Sequence, residues 1–344
     1  MIRIVSVHPD HEYHALTVAA VVDETADSRS FVLDVPPALA ATFAYEAGQF
    51  CTFRATVGGA EVVRCYSMSS SPDVGDPLTT TVKRVPEGVM SNWMIDTLAP
   101  GDTIDVMRPT GLFVLHDSDA PIVAFSGGSG ITPVLSILKT ALATTTREIV
   151  LVYANRDADS VIFAAELDRL EADAGGRLSV HRHLDADQGF LDAAACAALV
   201  GDRRDAHFYV CGPGPYMDVV EAALESLGVR PAQLFIERFV TPGEVSALTE
   251  SSHTETLTVK LAGRTHTLDY QVGDTILDAT RRASLGAPFS CESGSCATCM
   301  AHLDVGSASM RVNNALTPDE VDTGWVLTCQ AIPTSREVTV NYDA

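Results

Sequence analysis

The chain has 344 residues, 45 of them acidic and 23 basic, for a net charge of −22 with neutral histidines. That balance predicts solubility and excludes a binder of nucleic-acid phosphates. With 46% hydrophobic and 20% charged residues the composition is globular rather than disordered or fibrous, and the length suits two or three domains. The first residues, Met1 to His14, carry Asp10 and Glu12 and no apolar run of signal-peptide length, which predicts a cytoplasmic protein. The uncharged run from Ala120 to Leu138 holds Gly127, Gly128, Gly130 and Pro133, so it reads as strand, glycine loop and helix, with no membrane association. Eight cysteines without an export signal point to metal or redox chemistry rather than a disulfide framework.

From Leu16 to Leu115 the pattern is β-branched runs separated by turn clusters. Strands are predicted at Leu16–Val22, Phe31–Val35, Gln49–Val57, Glu61–Ser67, Thr79–Val85 and Thr103–Met107, with a hairpin at Gly58-Gly59 and one helix, Asn92–Leu98, capped by Ser91. An antiparallel barrel accommodates them. From Pro121 the pattern alternates. Strands at Pro121–Phe125, Glu148–Ala154, Leu178–Leu184, His207–Cys211 and Leu234–Phe239 are separated by helices at Pro133–Ala143, Ser160–Ala174, Asp192–Val200 and Tyr216–Leu227, which predicts a five-stranded parallel sheet with helices on both faces. Residues 241–253 read as a linker. Beyond it come a hairpin, Thr256–Leu261 with Thr265–Tyr270, a helix at Thr275–Ser284 and strands at Ala301–Val305 and Glu337–Asn341. The predicted domains are therefore residues 1–118, 119–240 and 254–344.

The C-terminal segment carries Cys291, Cys296 and Cys299 in a C-x4-C-x2-C run, with Cys329 following after 29 intervening residues. This is the plant-type spacing for a [2Fe–2S] cluster held by four thiolates. The small residues between the cysteines let a tight loop offer backbone N–H groups to sulfur. The competing ligand set, zinc on Cys296, Cys299 and His302, leaves Cys291 without a role. At this motif the last ninety residues resemble plant-type ferredoxins, which are β-grasp domains that pass single electrons.

In the first domain, Arg64-Cys65-Tyr66-Ser67 ends a predicted strand, Val82-Lys83-Arg84 lies on the next, and Gly88-Val89-Met90-Ser91 opens the short helix. An arginine and a helix N-terminus suit a pyrophosphate, and a tyrosine suits a ring. In this order the three pieces resemble the flavin domain of the ferredoxin–NADP reductase superfamily. The resemblance implies bound FAD, with Arg64 and Ser91 at the pyrophosphate, Tyr66 on the isoalloxazine and Ser67 near its N5.

The loop Gly127-Gly128-Ser129-Gly130-Ile131-Thr132-Pro133 joins the first strand of the α/β domain to its first helix, and Cys211-Gly212-Pro213 follows the fourth strand. Glycines there let a pyrophosphate approach backbone amides. The superfamily carries both segments, with the cysteine beside the nicotinamide. Asn155-Arg156-Asp157, at the end of the second strand, offers both a cation for a 2′-phosphate and an acid for a 2′-hydroxyl. The residues leave NADH and NADPH open, and the resemblance favours NADH. It also implies that Phe239 lies near the flavin.

The three-module order, ferredoxin last, resembles the reductase components of bacterial multicomponent oxygenases. Within that family the segments Tyr153-Ala-Asn-Arg-Asp, Ser160-Val-Ile-Phe-Ala-Ala-Glu-Leu and Ala287-Pro-Phe-Ser-Cys are most similar to ketosteroid 9α-hydroxylase reductases, with phenylacetyl-CoA, aromatic and alkane oxygenase reductases as alternatives. The resemblance implies electron flow from NADH through FAD and [2Fe–2S] to a terminal Rieske-type oxygenase, with Ser67 and Cys211 acting by contact and orientation; the free protein is expected to be a monomer. The rival reading is an electron-transfer ferredoxin that does not turn over NADH. His8, His11 and His14 read as a solvated arm, His181 and His183 as an edge strand, and Cys51, Cys65 and Cys196 as small core residues.

Overall fold

The computed structural model describes residues 12–239, 254–289, 292 and 294–344. The predicted linker at 241–253, His8, His11 and Cys291 lie outside the described residues. Six strands open the chain: β1 (Tyr13–Thr25), β2 (Ser28–Asp34), β3 (Phe50–Val57), β4 (Ala60–Ser67), β5 (Thr79–Lys83) and β6 (Thr103–Thr110), with helix α1 (Val89–Thr97) between the last two. They form one antiparallel sheet in the order β4-β3-β6-β1-β2-β5, and β3 and β4 are joined at Gly58-Gly59. Leu16, Val18, Phe31, Phe53 and Val106 fill its interior, and Met90 and Met94, one turn apart on α1, close it.

The second module alternates β7 (Ile122–Gly127), α2 (Ile131–Thr144), β8 (Ile149–Asn155), α3 (Ala164–Asp173), β9 (Leu178–Leu184), α4 (Asp185–Gln188), α5 (Ala193–Val200), β10 (His207–Cys211), α6 (Gly214–Ser226) and β11 (Leu234–Glu237). The strands are parallel, in the order β11-β10-β7-β8-β9. Every residue of β7 and β8 is buried, as expected of strands covered on both faces. One face packs Ile122, Leu151 and Tyr153 on Val134, Leu135 and Leu138 of α2, and the other packs Phe125, Val152 and Phe208 on Cys196, Met217 and Val220. The order reverses between β7 and its neighbours β8 and β10, so the crevice beyond the C-terminal ends of β7 and β10 is the switch point at which such sheets bind ligands.

The third module has β12 (Thr256–Leu261), β13 (Arg264–Leu268), α7 (Ile276–Arg282), β14 (Met300–Val305), β15 (Ala308–Met310), α8 (Pro318–Asp322), β16 (Trp325–Leu327), β17 (Ala331–Pro333) and β18 (Glu337–Asn341). A mixed sheet, β13-β12-β18-β14-β16, carries α7 across Leu257, Val259, Ala301 and Val340. Among the described residues no helix is long and apolar enough to cross a membrane.

Several expected boundaries move for local reasons. Helix α1 starts at Val89, not Asn92, because extended Gly88 is its N-cap. Ser91 lies inside the first turn, where its Oγ accepts from Val85 N–H at 3.2 Å. The helix expected over Ser160–Ala174 is broken: Asp157 and Ser160 cap one another around a short turn, Phe163 takes φ +62°, and α3 begins only afterwards. β11 stops at Glu237, leaving Phe239 outside the strand and 46% exposed. His14 is in β1 opposite Val106 and edge-on to Phe43 at 5.8 Å, not on a solvated arm. His181 and His183 do lie on the edge strand β9. The short β15, β16, β17 and α8 have no period long enough to read from sequence.

Candidate functional site

At the switch point, Gly127 ends β7 and Gly128–Gly130 form a tight turn into α2, with Tyr153 Oη donating to Gly128 O at 3.0 Å and Thr132 Oγ1 to Ser129 O at 3.0 Å. The loop after β10 meets this turn closely. A Cβ on Gly130 would stand 2.2 Å from Cys211 O, and one on Gly127 would stand 2.9 Å from Pro213 Cδ. Neither α2 nor α6 has a side-chain cap, so no side chain competes with an anion at either helix N-terminus, although Ile131 N–H is already taken by Gly128 O and Ser129 O and Pro133 and Pro215 carry no N–H. Beside them lies a cavity of about 570 Å³, lined by Gly127, Gly128, Asn155, Arg156, Pro213 and Tyr216 and by Lys83 from the barrel. The buried Ser126 Oγ and Tyr216 Oη have no hydrogen-bond partner among the described residues. A crevice between two glycine turns, with Asn155, Arg156 and Lys83 on its walls, fits a dinucleotide. Arg156 is paired with Asp157 at 2.7 Å, so cation and acid stand together and Arg156 is not a free cation.

On the barrel side, β4 carries Arg64, Tyr66 and Ser67. Tyr66 packs edge-on to Phe53 at 5.7 Å, and Arg64 Nη1 donates to Val63 O at 2.7 Å. Gly88 fills a cradle that a Cβ would close, 2.6 Å from Ser91 Oγ, and α1 also lacks a side-chain cap. Cation, ring and helix N-terminus fit a flavin nucleotide. The side chains of Val82 and Met90 point into the barrel core, so they offer a ligand backbone only, whereas Val89 is 48% exposed. Arg84 is bound to Asp96 at 2.6 Å and Asn92 at 3.0 Å, and Lys83 stands 3.8 Å from Asp27.

The two halves meet at a residue that sequence reading passed over in favour of Phe239. Glu237, at the end of β11 and in register with Cys211, is buried and accepts a hydrogen bond from Ser67 Oγ at 3.3 Å. Its only sequence signal is a carboxylate ending an otherwise apolar strand. Burial pushes its carboxyl up to about 8, against a smaller downward pull from the Ser67 hydroxyl, and burial also raises the Cys211 thiol. A carboxyl that holds its proton to about pH 8 when folded, against a reference value of 4.5, favours folding most at low pH and loses that contribution as pH rises between the two values. Glu237→Gln is therefore expected to flatten a fall in melting temperature that the wild type shows from about pH 5 to pH 8, a difference on the order of a few kcal/mol. Parallel melting curves for the two proteins would disprove the assignment.

In the third module Cys296, Cys299 and Cys329 are all buried, at 1%, 2% and 6% exposure. Glu292, Gly294 and Ala297 take positive φ of 53°, 76° and 54°, coiling the loop, and a Cβ on Gly294 would meet Val312 O at 2.7 Å. Cys299 and Cys329 face each other, and their mutual hydrogen bond with burial raises the Cys299 thiol. Among the described residues no three His, Cys, Asp or Glu side chains converge as on a single ion, whereas a two-iron cluster divides its thiolates between metals. His302 is turned elsewhere, its Nδ1 2.9 Å from Asp304 and its Nε2 3.0 Å from Thr323 O. Buried thiols on a coiled loop fit the cluster, and the zinc set is set aside. Cys51 and Cys196 are core residues, but Cys65 is not. With Val63 it packs on Cys296, which puts the cluster loop against the flavin strand. Thr110 Oγ1 donates to Ala315 O at 2.9 Å, and Arg108 and Glu320 stand 3.9 Å apart across the same boundary.

Comparison with known proteins agrees with this geometry. Residues 15–115 match the oxidoreductase FAD-binding domain, 125–222 the oxidoreductase NAD-binding domain and 259–334 the 2Fe-2S iron-sulfur cluster binding domain. The ferredoxin reductase component of 3-ketosteroid-9-alpha-monooxygenase from Rhodococcus rhodochrous is 39% identical over 95% of this chain and 96% of its own. One polypeptide of the 1,2-phenylacetyl-CoA epoxidase from Escherichia coli is 33% identical over 96% of this chain and 98% of its own. Among solved structures, phthalate dioxygenase reductase aligns with a TM-score of 0.60 at 26% identity, covering 96% of this chain and 98% of that one. The chain belongs to the family of oxygenase reductases that join an FAD-binding barrel, an NAD-binding domain and a 2Fe-2S domain in one polypeptide.

Proposed function

We propose that this chain is the NADH-dependent reductase of a terminal Rieske-type oxygenase acting on ketosteroids. The observation that carries this reading is the meeting of three modules around β4, whose Ser67 contacts Glu237 of the α/β module and whose Cys65 packs on Cys296 of the cluster loop. Bound flavin supplies the conversion between two-electron nicotinamide chemistry and one-electron cluster chemistry.

The residues of this chain bind and orient. Arg64 and the α1 N-terminus hold a pyrophosphate, with Gly88, Val89 and Ser91 lining its approach, and Tyr66 covers a ring face. The turns at Gly127–Gly130 and Cys211–Pro213 admit the nicotinamide half of the second nucleotide beside Ser67 and Glu237. Asn155 and Arg156 lie toward its far end. Cys291, Cys296, Cys299 and Cys329 hold the cluster. The steroid assignment is supported by the relatives near 40% identity, which are ferredoxin reductase components of ketosteroid monooxygenases. Electron delivery to a phenylacetyl-CoA, aromatic or alkane oxygenase is the alternative.

Mixing the protein with NADH and a purified ketosteroid 9α-hydroxylase oxygenase is expected to give hydroxylated androstenedione in step with NADH consumption. Fast NADH-dependent dye reduction without product would remove the steroid partner and retain the electron-transfer reading. Absence of dye reduction would leave only a ferredoxin.

A further inference from the structure

Helix α2 does two things at once. Its N-terminus follows the Gly127–Gly130 turn, and its polar stripe Ser136, Lys139 and Thr140, at positions i, i+3 and i+4, is buried against the barrel segment that starts two residues after Ser67. Ser136 Oγ donates to Ser70 O at 2.5 Å and accepts from Gly48 N–H at 3.2 Å. Thr140 Oγ1 donates to Asp73 at 2.9 Å and, its proton so used, accepts from Ser71 Oγ at 2.7 Å. Lys139 Nζ has three acceptors for its three protons: Asp76 at 3.1 Å, Ser69 O at 3.5 Å and Glu166 of α3 at 2.6 Å. Asp76 is fixed in turn by Ser71 N–H at 3.1 Å.

A buried ammonium held by two half-buried carboxylates is a poor way to gain stability, since the desolvation of the ammonium offsets much of their attraction. It is a good way to fix one geometry, because each bond is directional and the alternative is an unpaired buried charge. One end of the bar is the nicotinamide turn, and the other grips the chain just beyond the flavin strand. We propose that the Lys139 joint is a positioning device for hydride transfer: it sets the separation and angle between the flavin and nicotinamide sites without touching either ligand. The proposal rests on the assignment of those two sites above.

The test uses full-length, FAD- and cluster-loaded protein carrying Lys139→Met, Lys139→Arg or Thr140→Val, mixed rapidly and anaerobically with NADH. Three quantities are read: the limiting rate of flavin reduction per bound FAD, the dissociation constant for NADH, and the long-wavelength absorbance of the flavin–nicotinamide contact complex. Lys139→Met is expected to lower the limiting rate by about tenfold or more and to weaken that absorbance, with NADH affinity held within about threefold, since a small misplacement of reacting groups acts on rate before binding. Lys139→Arg is expected to recover most of both. Thr140→Val, which removes no charge, reads the same joint if the methionine variant does not fold, and is expected to slow the step by about threefold. A merely structural role predicts lower melting temperature and FAD content with an unchanged rate per flavin. That result, or failure of arginine to restore rate and absorbance, overturns the proposal. If wild type itself shows no flavin reduction by NADH, the site assignment fails instead.

Discussion

Replacing Cys329 by serine is expected to remove the visible absorption of the iron–sulfur cluster and to lower oxygenase-coupled turnover by about 100-fold or more, about 2.7 kcal/mol. NADH-dependent dye reduction is expected to stay within about twofold of wild type, because the substituted residue lies in neither the barrel nor the α/β module. Cys329 comes from the turn between β16 and β17, far in sequence from the loop that carries the other cysteines, so it ties two segments of the module through the metal. Its side chain shares a buried cluster with Leu277, Ala287, Ala297, Cys299 and Leu316. Losing the cluster therefore also loses much of what holds this part together, since metal affinity is folding free energy for small metal-bound units. A melting scan should show the third module unfolding earlier while the flavin-bearing modules melt as before. Undiminished coupled turnover in a protein without cluster absorbance would contradict the electron route.

Much of the site was legible because its chemistry forces spacing. Four thiolates around two irons need a coiled loop and a distant fourth ligand, and the C-x4-C-x2-C run states both. A glycine turn between an apolar strand and a helix, repeated after the fourth strand, marks the switch point of a parallel sheet. What escaped depends on contacts between modules. Ser136, Lys139 and Thr140 form the kind of polar stripe that ordinarily faces water, and only the docking of α2 on the barrel buries them. Cys65 looked like a small core residue because strand alternation does not say what lies beyond the sheet, and here that is Cys296. Glu237 was outweighed by the neighbouring aromatic Phe239, because on the edge strand β11 a terminal carboxylate ordinarily faces water, and only the approach of Ser67 from the barrel shows that it is buried.

The glycine turn offers the sharpest test of the nicotinamide crevice, because two of its glycines are there for different reasons. Gly130 has φ −63°, a conformation any residue adopts, and it precedes a helix. Alanine at this point carries no backbone penalty, so any loss comes from the added methyl group. That group would stand 2.2 Å from Cys211 O, 2.4 Å from its carbonyl carbon and 2.7 Å from Gly212 N, all backbone atoms that cannot rotate away. The two loops must separate, which moves the N-terminus of α2 away from that of α6. Gly130→Ala is therefore expected to lower kcat/KM for NADH by about 100-fold or more while FAD content is retained. Gly128 is the opposite case, with φ +52° and no atom within 4 Å of an added Cβ. Alanine there costs about 1 kcal/mol of backbone strain and leaves the approach of the loops intact, its methyl group facing the cavity, so kcat/KM is expected to fall by less than for Gly130→Ala. If the two variants lose equally, the close approach of the β7 and β10 loops is not what the nucleotide needs.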